Sequence, residues 1–209
     1  VEAPHVAHPE KFNYAELAER IATVATAFQS LGIKEGDVVA LFAENSPRWL
    51  VADQGLMRAG ASDAVRGASA PVEELRYILE DSGAVALIVQ SADLWEKLAL
   101  PDSRKNQLKF ILQLEGSPLK SLIGWEELLE TGIGKIAPEV FLDRGLESAD
   151  STTATILYTS GTTGRPKGVP LSHSNLLHQI RSLACVAHPK PASAVLSILP
   201  IWHAYERSA

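Results

Sequence analysis

Four hydroxyls (Thr159, Ser160, Thr162, Thr163), three glycines (Gly161, Gly164, Gly168) and two cations (Arg165, Lys167) fall within the ten residues that follow Tyr158. Glycines admit positive φ and let backbone N–H groups come close to a ligand, and hydroxyls and an ammonium add donors toward anionic oxygens. That combination describes a polyphosphate cradle. An apolar run at residues 154–157 leads into it and an apolar restart at Val169 leads out. The Walker A pattern does not fit, because only two residues separate Gly161 from Gly164, Pro166 precedes Lys167 and Gly168 follows it. Pro166 also denies the loop an immediate run into a helix, so the loop is expected between two strands. A flexible Ser/Thr/Gly linker is the bland alternative, and it predicts no ordered Pro-Lys-Gly between apolar runs.

The stretch Tyr158-Thr159-Ser160-Gly161-Thr162-Thr163-Gly164-Arg165-Pro166-Lys167-Gly168-Val169 closely resembles the signature of the adenylate-forming (AMP-binding) superfamily, which includes acyl-CoA synthetases, luciferases and peptide-synthetase adenylation domains. The likeness extends to Glu44-Asn45-Ser46-Pro47-Arg48-Trp49-Leu50 with Gly60-Ala61, to residues 73–82, to Leu171-Ser172-His173-Ser174-Asn175 and to Leu199-Pro200-Ile201-Trp202-His203. His203-Ala204-Tyr205-Glu206-Arg207 resembles the run of the long-chain fatty-acyl activating branch. Where acyl-CoA synthetases usually carry Val-Pro-Ile or Val-Pro-Leu, this chain has Ala64-Val65-Arg66-Gly67, which looks more like the acyl-ACP synthetases of cyanobacteria and plastids.

The resemblance implies two half-reactions: a long-chain fatty carboxylate attacks the α-phosphorus of ATP, and a phosphopantetheine thiol of acyl carrier protein, or of CoA, then displaces AMP. It assigns Thr159, Ser160, Gly161, Thr162, Thr163, Gly164 and Lys167 to the β- and γ-phosphates, with the Thr159 hydroxyl toward Mg²⁺. His203 is the candidate catalytic residue, orienting the carboxylate or donating to an α-phosphate oxygen. Lys167 as an exposed loop charge and His203 as a structural histidine are the competing readings. Glu206 and Arg207 read as an ion pair on the next helix, with substrate contact as the alternative; His178 and His188 lack comparable context, His173 has only its place in the family-like run, and His5 and His8 alone make a poor metal site. Alternatives for the whole protein are a long-chain fatty acid–CoA ligase and a non-catalytic nucleotide-binding module. The implied location is cytoplasmic or plastid, with peripheral membrane contact left open.

The elements that must position these residues alternate. Asn13 followed by Glu16 is a capping pattern, and Leu17, Ile21, Val24, Ala25, Phe28 and Leu31 recur at helical spacing before Gly32. Residues 38–42 form a continuous apolar run suited to a buried parallel strand, and Ser46-Pro47 opens a helix through Met57 that ends at Gly60. A short strand and turn follow over 61–70, then a helix over 71–80 with Pro71 in its first turn, then strands over 84–89 and 108–114 and a helix over 125–130. Residues 131–152 read as a surface connector, Ser172 caps a helix over 173–184, and residues 194–199 read as a strand delivering His203. Such alternation predicts an α/β fold around a mostly parallel sheet flanked by helices.

Composition sets the outer bounds. A chain of 209 residues, 46% apolar and 21% charged, can bury a core, and its net charge of −6 argues against non-specific binding to nucleic acid. One cysteine, Cys185, permits no internal disulfide. The chain starts at Val1 and stops at Ala209 within what reads as an element. Residues 1–209 are therefore expected to be a truncated N-terminal part of the large AMP-binding domain, inactive by itself.

Overall fold

Asn13 starts the first helix as its spacing predicts. Its side chain accepts the Glu16 N–H at 3.0 Å, and the Glu16 carboxylate accepts the Asn13 N–H at 2.9 Å, so two of the helix's orphan donors are satisfied reciprocally. The computed structural model describes residues 1, 10–135, 151–159, 165–185, 197 and 199–203. Among these the chain runs α1 (Tyr14–Ser30), β1 (Val38–Phe42), α2 (Pro47–Arg58), β2 (Ser62–Arg66), α3 (Val72–Asp81), β3 (Ala86–Val89), α4 (Ala92–Leu98) and α5 (Asp102–Lys105). It continues through β4 (Ile111–Gln113), β5 (Ile123–Gly124), α6 (Trp125–Gly132), β6 (Thr153–Thr159), β7 (Lys167–Ser172) and α7 (His173–Ala184).

The described strands form one sheet in the order β5-β4-β3-β1-β2-β6-β7. Every pairing is parallel except β6 with β7. The chain therefore leaves β1 for β2 on one side and returns to β3 on the other, which creates a topological switch beside β1. Open α/β sheets bind ligands at such a point, outside the carboxyl ends of the strands. The strand ends that share this edge are Phe42, Arg66, Val89, Gln113, Gly124 and Thr159.

Burial on both faces explains why the strands read as unbroken apolar runs. Successive side chains point to opposite faces, so Val39 and Leu41 pack with Val24, Phe28, Trp49, Leu56 and Leu128, whereas Ala40 and Phe42 pack with Leu75, Ile78, Leu79 and Leu98. Helices α1, α2 and α6 thus cover one face and α3 and α4 the other. Close approach on the first face depends on glycine. A Cβ built on Gly55 would lie 2.8 Å from Val24 Cγ1, and one on Gly132 would lie 2.2 Å from the Thr23 carbonyl oxygen. Helix α6 accordingly runs to Gly132, two residues into the span expected to be connector, because that last turn docks on α1. Residues 136–150 of that span lie outside the described residues.

Arg48 braces the same face. Its guanidinium donates to Glu10 at 2.8 Å, to the Leu114 carbonyl at 2.7 Å and to Glu126 at 3.1 Å, and lies 5.7 Å from the centre of the Trp125 ring. The family-like segment around Arg48 therefore carries structure as well as resemblance.

Candidate functional site

The glycine- and hydroxyl-rich loop connects two strands, as Pro166 requires. Strand β6 runs up to Thr159 and β7 returns from Lys167, with these two residues paired across the ladder. Thr159 and Lys167 are both exposed at its mouth, so a hydroxyl and an ammonium face solvent at the two ends of the loop. Ser160, Gly161, Thr162, Thr163 and Gly164 lie outside the described residues. Gly168 sits opposite Tyr158, where a Cβ would meet Tyr158 Cζ at 3.0 Å and Ile156 Cγ2 at 3.1 Å. The glycine therefore lets the tyrosine ring lie against the returning strand. Among the described strands β7 is the outermost, a position that tolerates Pro170.

Both sides of the loop are attached to α3. Tyr158 is buried and donates its phenolic hydrogen to Asp81 Oδ2 at 2.9 Å, and Tyr77 donates to Asp81 Oδ1 at 2.9 Å. The Arg165 guanidinium lies 5.8 Å from the centre of the Tyr77 ring, within reach of a cation–π contact. Burial, the bond to Asp81 and that carboxylate's charge push the Tyr158 phenol above its ordinary range. For Tyr77 the bond to Asp81 dominates, with burial and the carboxylate's charge acting the same way against a small opposing effect of Arg165. Sequence reasoning did not single out Asp81, since a bond spanning 77 residues leaves no trace in periodicity.

His203 lies on the same edge. Residues 199–203 close a turn in which the His203 N–H donates to the Pro200 carbonyl at 2.9 Å. Asn45 holds this turn twice: its Nδ2 donates to the Leu199 carbonyl at 2.7 Å, and its Oδ1 accepts the Ile201 N–H at 2.9 Å. Trp202 lies over Gly67, where a Cβ would be 2.6 Å from Trp202 Cζ2. Val65 pairs with Leu157, and two residues further along the chain come Gly67, just past the end of β2, and Thr159, the last residue of β6. The His203 turn and the start of the glycine-rich loop are thus neighbours at the ends of adjacent strands. Most of the strand expected over 194–199, together with Glu206 and Arg207, lies outside the described residues.

The departure at Arg66 has a local explanation. Its Nε sits 2.7 Å from the Glu74 carboxylate in the first turn of α3, and both side chains are mostly buried. Neighbouring Glu44 accepts the Ser69 N–H at 2.9 Å and so ties the segment after β2 to the segment after β1.

A 1450 Å³ groove lies at the opposite edge, lined by Val38, Ser62 and Thr153 at the starts of β1, β2 and β6. It is remote from the loop. No group of three or more His, Cys, Asp or Glu side chains that could hold a metal occurs among the described residues. The exposed Thr159 hydroxyl at the loop mouth is an oxygen donor of the hard kind that Mg²⁺ accepts. No helix among the described residues is long and apolar enough to cross a membrane.

Comparison with known proteins finds relatives along nearly the whole chain. The chain is 38% identical over 222 residues to the chloroplastic long-chain-fatty-acid–acyl-carrier-protein ligase AEE15 of Arabidopsis thaliana, covering 99% of this chain and 30% of the relative. It is 32% identical over 197 residues to the long-chain-fatty-acid–CoA ligase FadD15 of Mycobacterium tuberculosis, covering 93% of this chain and 32% of the relative. The chain thus spans about a third of the length of these curated relatives. Among solved structures, the long-chain-fatty-acid–CoA ligase FadD1 of Archaeoglobus fulgidus superposes with a TM-score of 0.80 at 26% identity, covering 98% of this chain and 39% of that one. ATP-bound MatB of Rhodopseudomonas palustris superposes with a TM-score of 0.76 at 28% identity, covering 96% of this chain and 37% of that one. The AMP-binding enzyme family model matches residues 2–209, and the chain belongs to that family.

Proposed function

We propose that this chain is the N-terminal portion of the nucleotide-binding domain of a ligase that activates a long-chain fatty acid with ATP and passes the acyl group to the phosphopantetheine thiol of acyl carrier protein. The observation that carries this reading is the convergence of the Thr159–Lys167 loop mouth and the His203 turn on one carboxyl edge of the sheet. In the first half-reaction a carboxylate oxygen attacks the α-phosphorus, the bond to the bridging α,β-oxygen breaks, and pyrophosphate leaves. In the second, the thiol gives up its proton to solvent, its sulfur attacks the acyl carbonyl carbon, the bond to the phosphate oxygen breaks, and AMP leaves with the electron pair.

Little covalent chemistry falls to the protein, so its work is to position charge and stabilise it. The loop residues Thr159, Ser160, Gly161, Thr162, Thr163 and Gly164, together with the Lys167 ammonium, hold the β- and γ-phosphates while negative charge grows on the leaving pyrophosphate. When bound, Mg²⁺ supplies Lewis-acid neutralisation of those oxygens, with the Thr159 hydroxyl as its protein contact. His203 orients the carboxylate or donates to an α-phosphate oxygen. The chain alone, without the remainder of such an enzyme, forms no adenylate.

Acyl carrier protein is favoured over CoA as acceptor by the higher identity to the carrier-protein ligase and by Arg66-Gly67 in place of the usual proline-containing segment. The similarity to FadD15 supports the CoA ligase as the second reading. A competition decides between them. Full-length protein given palmitate and MgATP is offered equal concentrations of holo-acyl carrier protein and CoA, and the carrier-protein reading expects acyl-carrier protein as the main product. Predominant acyl-CoA would instead establish the second reading.

A further inference from the structure

We propose that Asn45 and Gly67 form a seat that fixes the His203 turn against the sheet, which makes Asn45 a positioning residue for the adenylation step; this rests on the role proposed above for His203. The Asn45 amide uses both its ends on one short segment, donating to the Leu199 carbonyl at 2.7 Å and accepting the Ile201 N–H at 2.9 Å. A carboxylate could accept but not donate there, and an apolar side chain could do neither. The two bonds also fix which end of the amide faces which partner.

Gly67 supplies the second half of the seat. An added Cβ would lie 2.6 and 2.7 Å from Trp202 Cζ2 and Cη2, deep inside van der Waals contact with a rigid indole edge. Trp202 and Ile201 pack in turn against the core that Trp49 and Leu56 build on that face. The turn is then closed on itself by the His203 N–H to the Pro200 carbonyl. His203 therefore follows directly on a residue wedged over Gly67, at the strand end next to Thr159. Glu44, adjacent to Asn45, binds the Ser69 N–H at 2.9 Å and keeps the two halves of the seat together. Reacting groups misplaced by about 1 Å can cost about a hundredfold in rate, so such a seat acts on the chemical step more than on substrate binding.

The test uses Asn45→Ala, with Gly67→Ala as a second variant that attacks the seat from the other side. In the 209-residue chain, amide hydrogen exchange of a peptide over residues 197–203 should accelerate about tenfold in either variant while exchange in β1 and β3 stays unchanged. In the full-length protein, kcat for acyl-adenylate formation should fall at least about tenfold, with KM for MgATP within about twofold of wild type. Combining Asn45→Ala with His203→Ala should cost no more than His203→Ala alone, the signature of one residue acting through the other. Unchanged exchange, or independent addition of the two rate losses, overturns the proposal. A His203→Ala enzyme with wild-type rate, alongside accelerated exchange in Asn45→Ala, leaves the seat in place and overturns the role given to His203.

Discussion

Tyr158 and Asp81 meet across 77 residues, with the buried phenol donating to the exposed carboxylate at 2.9 Å. The bond joins the residue just before the exposed loop mouth to the last residue of α3. Its two partners are not equivalent. Tyr158→Phe leaves Asp81 with Tyr77 and solvent, whereas Asp81→Ala leaves a buried hydroxyl without its acceptor. Asp81→Ala is therefore expected to cost about 1–3 kcal/mol and Tyr158→Phe about 1 kcal/mol in urea unfolding. Equal losses from the two variants would contradict the assignment.

The same pair sets an alkaline limit. Burial and Asp81 raise the Tyr158 phenol above its ordinary value of 10.0, so the folded chain holds this proton more tightly than the unfolded chain does. Stability from this source is complete below about pH 10 and is lost as the pH rises further and the unfolded phenol ionises. Thermal melts taken across about pH 9 to 12 should show a steeper alkaline fall for wild type than for Tyr158→Phe. Parallel curves would show that the phenol is not perturbed by its surroundings.

Asp37 gives the opposite sign. Burial pushes its carboxyl up, but the hydrogen bonds from Lys109 and the Lys34 N–H, with the charges of both lysines, outweigh it and leave the carboxyl below 3.8. The stability it contributes is present above that value and is lost as the pH falls through the lower folded one. Lys109→Met should weaken the fold by less than about 1 kcal/mol near neutral pH, as expected of a partly solvated pair, and should flatten the acid branch of the stability curve. An unchanged acid branch would count against the pairing.

Much of this architecture was legible beforehand, and the physical reasons differ by element. Asn13 with Glu16 and Ser172 before His173 announce helix starts because capping needs short polar side chains at fixed offsets. Ser172 indeed pairs reciprocally with Asn175. The loop between Thr159 and Lys167 joins two strands, as Pro166 signals by disfavouring an immediate helix. Strand β5, only Ile123–Gly124, is too short to show a period, and α4 depends on the Ser91 cap in a stretch whose pattern resembles its surroundings. Asn45 and Asp81 fall within the family-like segments, but their bonds do not show in the sequence, since they reach partners 154 and 77 residues away.

Gly132 illustrates a constraint of packing that sequence pattern does not display. Nothing in its turn demands glycine, yet a Cβ would stand 2.2 Å from the Thr23 carbonyl oxygen of α1. Gly132→Ala must push α6 away from α1 and is expected to cost about 1–3 kcal/mol in chemical denaturation, despite alanine's higher helix propensity. A neutral or stabilising result would mean that the two helices do not approach so closely.

The loop mouth itself offers the sharpest test. In the full-length protein, ATP–pyrophosphate exchange with palmitate is measured for wild type and for Lys167→Met, with the melting temperature as a control; Lys167 is exposed on β7, so its replacement should leave the fold intact. If the loop between Thr159 and Lys167 holds the departing pyrophosphate, exchange falls about a hundredfold at unchanged stability. Exchange within about twofold of wild type would contradict that role.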